Sequence, residues 1–327
     1  MPQPIMEWES RIGRRVRLRD LYILTTVVDT GSMAKAATRL SMSQPSISEA
    51  IANLETALRV RLLDRSPRGV EPTSYADALM RRGRIVFDEL NQGVRDIQFM
   101  ADPAVGEVRI GCPENLAAGF VPAVIAEVSR QYPRITFQVL PVEPVAMRFR
   151  ELRDRSVDLM VGRVLHPPLD EDLSADILFD DRLLVVAGRS SPWARRRSVA
   201  IGDLLGEQWV DTPANTPVSA FVVGQLRALG ITLPQPVVQT YSMHVRNRLL
   251  STGRFLGLMW ASALAFNQDG WSFKALPVRL DIPTRPVAII TLKNRTLSPA
   301  VELFVKQALE TARSTKSRRS LAREAAC

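Results

Sequence analysis

The stretch from Thr30 to Thr73, TGSMAKAATRLSMSQPSISEAIANLETALRVRLLDRSPRGVEPT, constrains this chain most. Two short helical patterns meet at a polar turn, and an arginine-studded loop follows. Ser32 stands where an N-cap is needed for MAKAATRL, and Ala34, Ala36, Ala37 and Leu40 give that helix a small-residue face on which a neighbour can close. Ser43 caps the second helix, with Pro45 in its first turn, where a missing N–H costs nothing. Ile47, Ile51, Leu54 and Leu58 recur at helical spacing as a buried stripe. The opposite face carries Gln44, Ser46, Ser48, Glu49, Ala52 and Asn53. Small polar groups at a helix N-terminus can enter the major groove, about 12 Å wide, and reach base edges. In the following RVRLLDRSPRGVEPT, Arg59, Arg61, Arg65 and Arg68 outnumber Asp64 and Glu71, and Pro67-Arg68-Gly69 marks a turn. Alone, this loop fits a solvated hairpin as well as a wing lying on phosphates. Beside the helix pair, phosphate contact is the better reading, with Ser66 and Thr73 completing the candidate DNA face.

The flanks agree with a polyanionic partner. The formal net charge is +9 and the pI about 10.2, and such a surplus favours nucleic acid first and an anionic membrane second. No apolar run approaches the ~18 residues of a membrane span, and MPQPIMEWESRIGRRVRLRD has no apolar core of a secretory signal. Cys112 and Cys327 are too few for a disulfide framework, so a reducing cytoplasm is expected. Residues 1–16 are expected to be a disordered lead. Leu18, Leu21, Tyr22, Leu24 and Val28 then predict a helix ending at Gly31, its apolar face supporting the next two. Thr73 caps a long helix over 74–102, with Tyr75, Leu79, Val86, Leu90, Val94, Ile97 and Phe99–Met100 as a stripe too long for one small neighbour. A two-fold pairing of that helix with a second copy is the simplest way to cover it.

From Gly106 strands and helices alternate. GEVRIGC, ITFQVLP and VDLMVGR predict strands, PENLAAG a loop, FVPAVIAEVSRQYP and VEPVAMRFRELRDRS helices. A parallel sheet follows, with ligand chemistry at the strand carboxyl ends. A second α/β unit starts near Asp180, and PTRPVAIITLKN returns as a strand before a closing helix. The expected architecture is a winged helix-turn-helix over 17–73, a linker helix, and a hinged two-lobe α/β domain over 105–312. Lobe 1 takes about 105–179 and 285–312, and lobe 2 about 180–284. The basic tail over 313–327 is expected to be disordered.

GSMAKAATRLSMSQPSISEAIANLE and VRLLDRSPRGVEPT, with the two-lobe arrangement behind them, resemble the LysR-type transcriptional regulators over about residues 17–312. The resemblance implies a dimerising linker helix and a regulatory domain like the periplasmic binding proteins. It also implies dimers of dimers and a small inducer between the lobes. Gln44, Pro45, Ser46 and Ser48 match the start of the family's recognition helix, and Arg61, Arg65 and Arg68 its wing. Two positions depart. Glu49 stands where Arg or Lys is common, and a carboxylate there repels phosphate yet can accept from cytosine N4. Arg59 stands where Gly is usual, so the helix end is expected to lack its left-handed cap. RIGCPENLAAG, LRDRSVDLMVGR and the wing look most like the branch around regulators of galactose-binding proteins, which favours a sugar or sugar acid over an aromatic acid as effector.

Strand ends and helix N-termini nominate the effector residues. They are Cys112, Pro113, Glu114, Asn115, Arg163 and Val164 in the first lobe, and Thr212, Asn215, Thr216, Pro217, Ser242, Met243 and Trp260 in the second. Arg163 fits a carboxylate clamp, or equally an ion pair with Glu114 or a surface carboxylate. Trp260 fits core better than ligand platform. Cys112 fits packing better than a reactive thiolate. His166 and His244 have no metal spacing, and no phosphate loop, metal motif or nucleophile triad is present, so no cofactor, metal or enzymatic activity is expected. The leading expectation is an effector-controlled regulator binding double-stranded DNA as a homodimer or homotetramer, with no membrane partner. The alternatives are a two-lobe binding protein or enzyme whose N-terminal helices only dimerise it, and an architectural DNA-binding protein without an inducer.

Overall fold

Gly31 turns left-handed after the first helix (φ 65°), and that turn receives both the next helix and the wing. The computed structural model describes residues 15–66, 69–102, 105–142, 149–165, 169–214, 216–266 and 270–324, with side chains to residue 314. Nearly all of the expected lead, together with Arg68, His166 and Asn215, lies outside the described residues. The chain divides into two compact units, residues 1–93 and 94–327.

In the first unit α1 (Leu18–Thr30), α2 (Met33–Leu40) and α3 (Gln44–Leu58) enclose a core of Leu24, Val27, Ala36, Ile47, Ile51 and Leu54. Ser32 and Ser43 cap as expected, accepting from Lys35 N and Ser46 N at 3.5 and 3.2 Å. The buried face of α1 is rotated from the expected one. Leu18 and Tyr22 are exposed, and Leu21, Ile23, Leu24 and Val27 are buried, because α2 and α3 both dock on that side. Tyr22 instead meets Phe87 edge-on at 5.9 Å. On α2, Ala34 is exposed and Met33 takes its place in the core.

Arg59 does form the left-handed cap that its side chain argues against (φ 57°, ψ 32°), its N–H reaching Glu55 O. The turn into the wing requires that backbone, so Arg59 bears the strain. A left-handed non-glycine costs about 1–2 kcal/mol, and glycine's extra entropy returns part of this. Arg59→Gly should therefore raise the stability of the first unit by about 0.5–1 kcal/mol, seen as a higher urea midpoint in far-UV circular dichroism. An unchanged or lower midpoint would contradict the strain argument.

The wing is the antiparallel hairpin of β1 (Leu63–Ser66) and β2 (Gly69–Pro72), with Arg65 opposite Val70. Glu55 Oε1 accepts from Leu62 N and Leu63 N at 2.7 and 3.2 Å, fastening its base to α3. Val70 N donates to Gly31 O at 3.0 Å, and Gly69 at φ 134° is so close that a Cβ would lie 2.8 Å from that oxygen. Thr73 donates to Arg61 O at 2.8 Å and accepts from Ala76 N at 3.3 Å, joining wing to helix α4 (Ser74–Ala101). On α4, Tyr75, Val86, Leu90, Val94, Ile97 and Met100 are exposed.

In the second unit the first lobe has sheet order β4-β3-β5-β12-β6, from β3 (Val105–Cys112), β4 (Arg134–Pro141), β5 (Leu159–Arg163), β6 (Leu173–Asp181) and β12 (Arg285–Leu292). The expected parallel sheet holds for β4, β3 and β5 only. β12 runs antiparallel to both β5 and β6. β6 leads out to the other lobe and β12 returns from it, so neither needs the helical crossover that enforces parallel pairing. β6 was not among the expected strands, because LSADILFDD lacks a clean alternation. The expected loop at PENLAAG holds a helical turn, α5 (Glu114–Ala117), before α6 (Phe120–Gln131). Of the helix expected over VEPVAMRFRELRDRS, residues 143–148 lie outside the described residues. Arg150–Arg153 form α7, and left-handed Arg155 (φ 61°) prevents its extension.

The second lobe has order β11-β7-β10-β8-β9, from β7 (Leu183–Gly188), β8 (Gln208–Asp211), β9 (Val238–Gln239), β10 (Phe255–Trp260) and β11 (Phe273–Ala275). Helices α8 (Pro217–Ala228), α9 (Met243–Ser251) and α10 (Ala261–Ala265) accompany it. The closing helix α11 (Pro299–Glu324) runs past Arg313, where the basic tail was expected to lose structure. Residues 314–324 hold no Gly or Pro to interrupt its hydrogen-bond ladder. Among the described residues no helix is long and apolar enough to cross a membrane.

Candidate functional site

Two surfaces carry chemistry, one in each unit. In the first, Gln44, Pro45, Glu49, Ala52 and Asn53 project from one exposed face of α3 while Ile47, Ile51 and Leu54 are buried behind it. Ser46 and Ser48 are half-buried and locally engaged. Ser46 Oγ lies 2.8 Å from Ser43 Oγ, and Ser48 Oγ donates to Met33 Sδ at 3.3 Å. Arg61 and Arg65 are exposed in the wing region. Arg61 Nε approaches Asp64 Oδ1 at 3.8 Å, an exposed pair that water and salt weaken. Ser66 is exposed at the wing turn beside Gly69 O, 3.4 Å away. Ser32 and Thr73 are consumed by capping.

The second surface is a cavity of about 400 Å³ where the carboxyl ends of β3, β5 and β8 face α8. It gathers Pro113, Glu114, Asn115, Arg163, Thr212, Thr216, Met243 and Trp260 from the nominated set. Cys112, Val164, Pro217 and Ser242 do not line it. Cys112 is wholly buried in the core of the first lobe, and Val164 packs with Leu173 and Ala288. Pro217 occupies the first position of α8, and Ser242 is spent capping α9 through Val245 N at 3.3 Å. Asn215 lies outside the described residues.

Arg163 pairs with neither Glu114 nor a surface carboxylate. Its Nη2 donates to buried Asp181 Oδ2 at 2.6 Å and to Ser262 Oγ at 3.1 Å, and its guanidinium stacks over Trp260 at 4.4 Å. Ser262 returns two bonds to Asp181, from N at 2.9 Å and Oγ at 2.6 Å. One network thus ties the end of β5 to the start of α10 across the hinge. Trp260 is both core and cavity wall.

Residues that sequence patterns missed make up most of the deep wall. Asp211 and Arg246 face each other at 3.5 Å, and Arg246 also donates to Leu258 O. Burial pushes the Asp211 carboxyl above the usual range despite the pull of Arg246, and burial pushes the Arg246 guanidinium down despite Asp211. Val222, Leu226, Ile231 and Leu233 also line the cavity, together with Arg227, Gln239 and Tyr241. Arg246 lies on α9, where a charged side chain in a helical pattern does not by itself mark a buried position. A cation between Val245 and the Leu249-Leu250 pair was the available signal. Among the described residues, no group of three His, Cys, Asp or Glu side chains could hold a metal.

Comparison with known proteins agrees with this geometry. Residues 18–77 match the model of the bacterial regulatory helix-turn-helix proteins of the lysR family, and residues 101–313 match the LysR substrate binding domain. The regulator GbpR of Azospirillum brasilense is 28% identical over 94% of this chain and 90% of its own length. The uncharacterised regulator YdcI of Escherichia coli K12 is 25% identical over 92% and 97%, so the galactose-related branch is only weakly indicated. The crystal structure of full-length CbnR complexed with its target DNA is 20% identical, with a TM-score of 0.65 over 90% of this chain and all of that one, and supports the fold. A helix-turn-helix with a basic hairpin, a long helix and a cleft between two α/β lobes, matched by both domain models, make this chain a member of the LysR family: a DNA-binding transcriptional regulator with an effector-binding domain.

Proposed function

We propose that the exposed face of α3 reads base edges while the wing holds phosphates, and that a small effector in the cleft alters this binding. The observation carrying the first half is the exposure of Gln44, Glu49 and Asn53 on one face of a helix whose other face is locked into the core beside an arginine-bearing hairpin. Arg61, Arg65 and Arg68 supply the phosphate contacts. The exposed apolar residues of α4 favour a homodimer through that helix, and dimers of dimers would place several reading heads along one cytoplasmic operator. Half-sites one turn apart would lie about 34–36 Å apart. Closing the cleft on an effector would shift the population of lobe arrangements and so the spacing of reading heads.

Gel-shift titration on the DNA around the gene is the test. Specific binding should fall with salt with a slope near −0.9 per phosphate contact. Glu49→Arg should change preference at one base-pair position, by about 1–3 kcal/mol between the best and worst base, with little change in melting. An equal change in affinity for all sequences would remove Glu49 from base reading. A chain lacking specific, salt-sensitive binding would remove the reading itself.

A further inference from the structure

One edge of the second lobe gathers positive charge that its own carboxylates do not answer. We infer that this face, built from Arg189, Arg195, Arg196, Arg197, Arg254 and Lys274, is a second contact for duplex DNA, made to phosphates without regard to sequence. It shares no residue with α3, the wing or the cavity lining.

The imbalance begins in the chain. Residues 182–202 hold five arginines and no Asp or Glu. The carboxylates that bound this stretch are occupied. Asp181 is buried against Arg163, and Asp203 Oδ2 accepts from Ala200 N at 3.2 Å. Folding then adds further cations to the same edge. β7 and β10 pair antiparallel with Ala187 opposite Leu256, and continuing that register by two residues sets Arg189 opposite Arg254. The close approach of the two segments agrees: Ser190 Oγ donates to Ser251 O at 3.1 Å, and a Cβ on Gly253 would lie 2.8 Å from Ser190 Oγ. On the other side of β7, Lys274 of β11 stands opposite Ala187. After Ser191 the chain makes a 3-10 turn, Pro192–Arg195, which Trp193 anchors to the core of the lobe. Arg195, Arg196 and Arg197 are left exposed, as are Arg189, Arg254 and Lys274.

Arg195, Arg196, Arg197, Arg254 and Lys274 make no ion pair among the described residues. Like charges facing each other on neighbouring strands repel, so this arrangement costs stability until a dense polyanion neutralises it. Duplex DNA carries one charge per about 1.7 Å of its axis and releases counterions to each cation that binds. Guanidinium, five of the six groups, meets phosphate oxygens with paired N–H bonds. A small anion needs a pocket, and these side chains all stand on open surface.

The test titrates the full-length protein into a fluorescent random-sequence duplex over a series of salt concentrations, so the outcome does not depend on base reading by α3. Arg195→Gln, Arg196→Gln and Arg197→Gln together should weaken binding at low salt by about tenfold or more and lower the salt slope by about 2–3, near 0.9 per lost phosphate contact. A control with the same loss of charge from exposed positions on α6 and α11, Arg130→Gln with Lys306→Gln and Arg313→Gln, should change affinity less than about twofold. Melting followed by circular dichroism checks folding. Should the first triple fail to fold, Arg254→Gln with Lys274→Gln decides, with an expected fall in slope of about 1–2. Equal losses in patch and control variants would reduce the effect to net charge and overturn the assignment, as would an unchanged slope in the patch variant. Poly-glutamate competing as well as duplex, charge for charge, would assign an acidic protein surface in place of DNA.

Discussion

Asp158→Ala is expected to destabilise the effector domain by roughly 3–5 kcal/mol, the usual consequence of removing one partner from a buried ion pair. Asp158 sits between two arginines. Arg109 donates from Nη2 to Oδ1 at 2.7 Å and from its backbone N to Oδ2 at 2.9 Å, and Arg295 Nη2 donates to Oδ1 at 2.7 Å. The side chains of Asp158 and Arg295 are only 4% and 2% exposed, so their charges cannot be rehydrated after truncation. These contacts join β3, the segment before β5 and the loop before α11, three distant parts of the first lobe. Four of the five tryptophans, Trp193, Trp209, Trp260 and Trp271, lie in the second unit, so tryptophan fluorescence in urea is dominated by this transition. A loss below 1 kcal/mol would mean that water reaches the site.

The same residue predicts an acid limb. Burial alone would raise the Asp158 carboxyl, but hydrogen bonds and charge from Arg109, then Arg295, outweigh it and hold the folded-state value below 3.8. A depressed folded value means that the stabilisation is fully present above the unfolded value near 4. It is lost as pH falls through the folded value. Wild type should therefore lose stability below about pH 4, with a limb that is shallower in Asp158→Ala. Urea midpoints at pH 3, 4 and 6 measure it.

Asp181→Ala should cost a similar 3–5 kcal/mol, for a different functional reason. It strands Arg163 inside the hinge and leaves Ser262 N without its acceptor. Replacing both charges, as in Arg163→Met with Asp181→Leu, should recover most of the loss, because the pair's desolvation cost disappears with its attraction. The recovered protein should nevertheless respond poorly to effector, since Arg163 and Trp260 are shared between hinge and cavity wall. Urea unfolding gives the first comparison, and effector-dependent DNA affinity gives the second. A double variant no more stable than Asp181→Ala would show that packing, not charge, is at stake.

The local devices were legible because each is settled within a few residues. Ser32, Ser43 and Thr73 cap the helices that follow them, and the wing strands pair as far as Ser66 and Gly69. Arg59 shows where such rules end. Its side chain argues against a left-handed cap, but the wing must start there and Glu55 must reach Leu62 and Leu63, so the tertiary need prevails. Tyr22 makes the same point on α1, where a helix flanked by two others buries a different arc from the one its apolar spacing suggests.

The amino-acid sequence alone determined the helix-turn-helix with its basic hairpin, the long helix and the two-lobe plan, because periodicity, caps and turn residues act locally. Only the tertiary structure decided what the cleft is made of. Asn115, Arg163, Asp211, Leu226 and Arg246 are separated by up to 131 positions and share no pattern along the chain. They meet because β6 and β12 cross between lobes and bring the strand ends face to face. The partners of a buried charge are likewise invisible in sequence: Asp158 with Arg295, and Arg163 with Asp181, pair because a charge removed from water without a partner is costly.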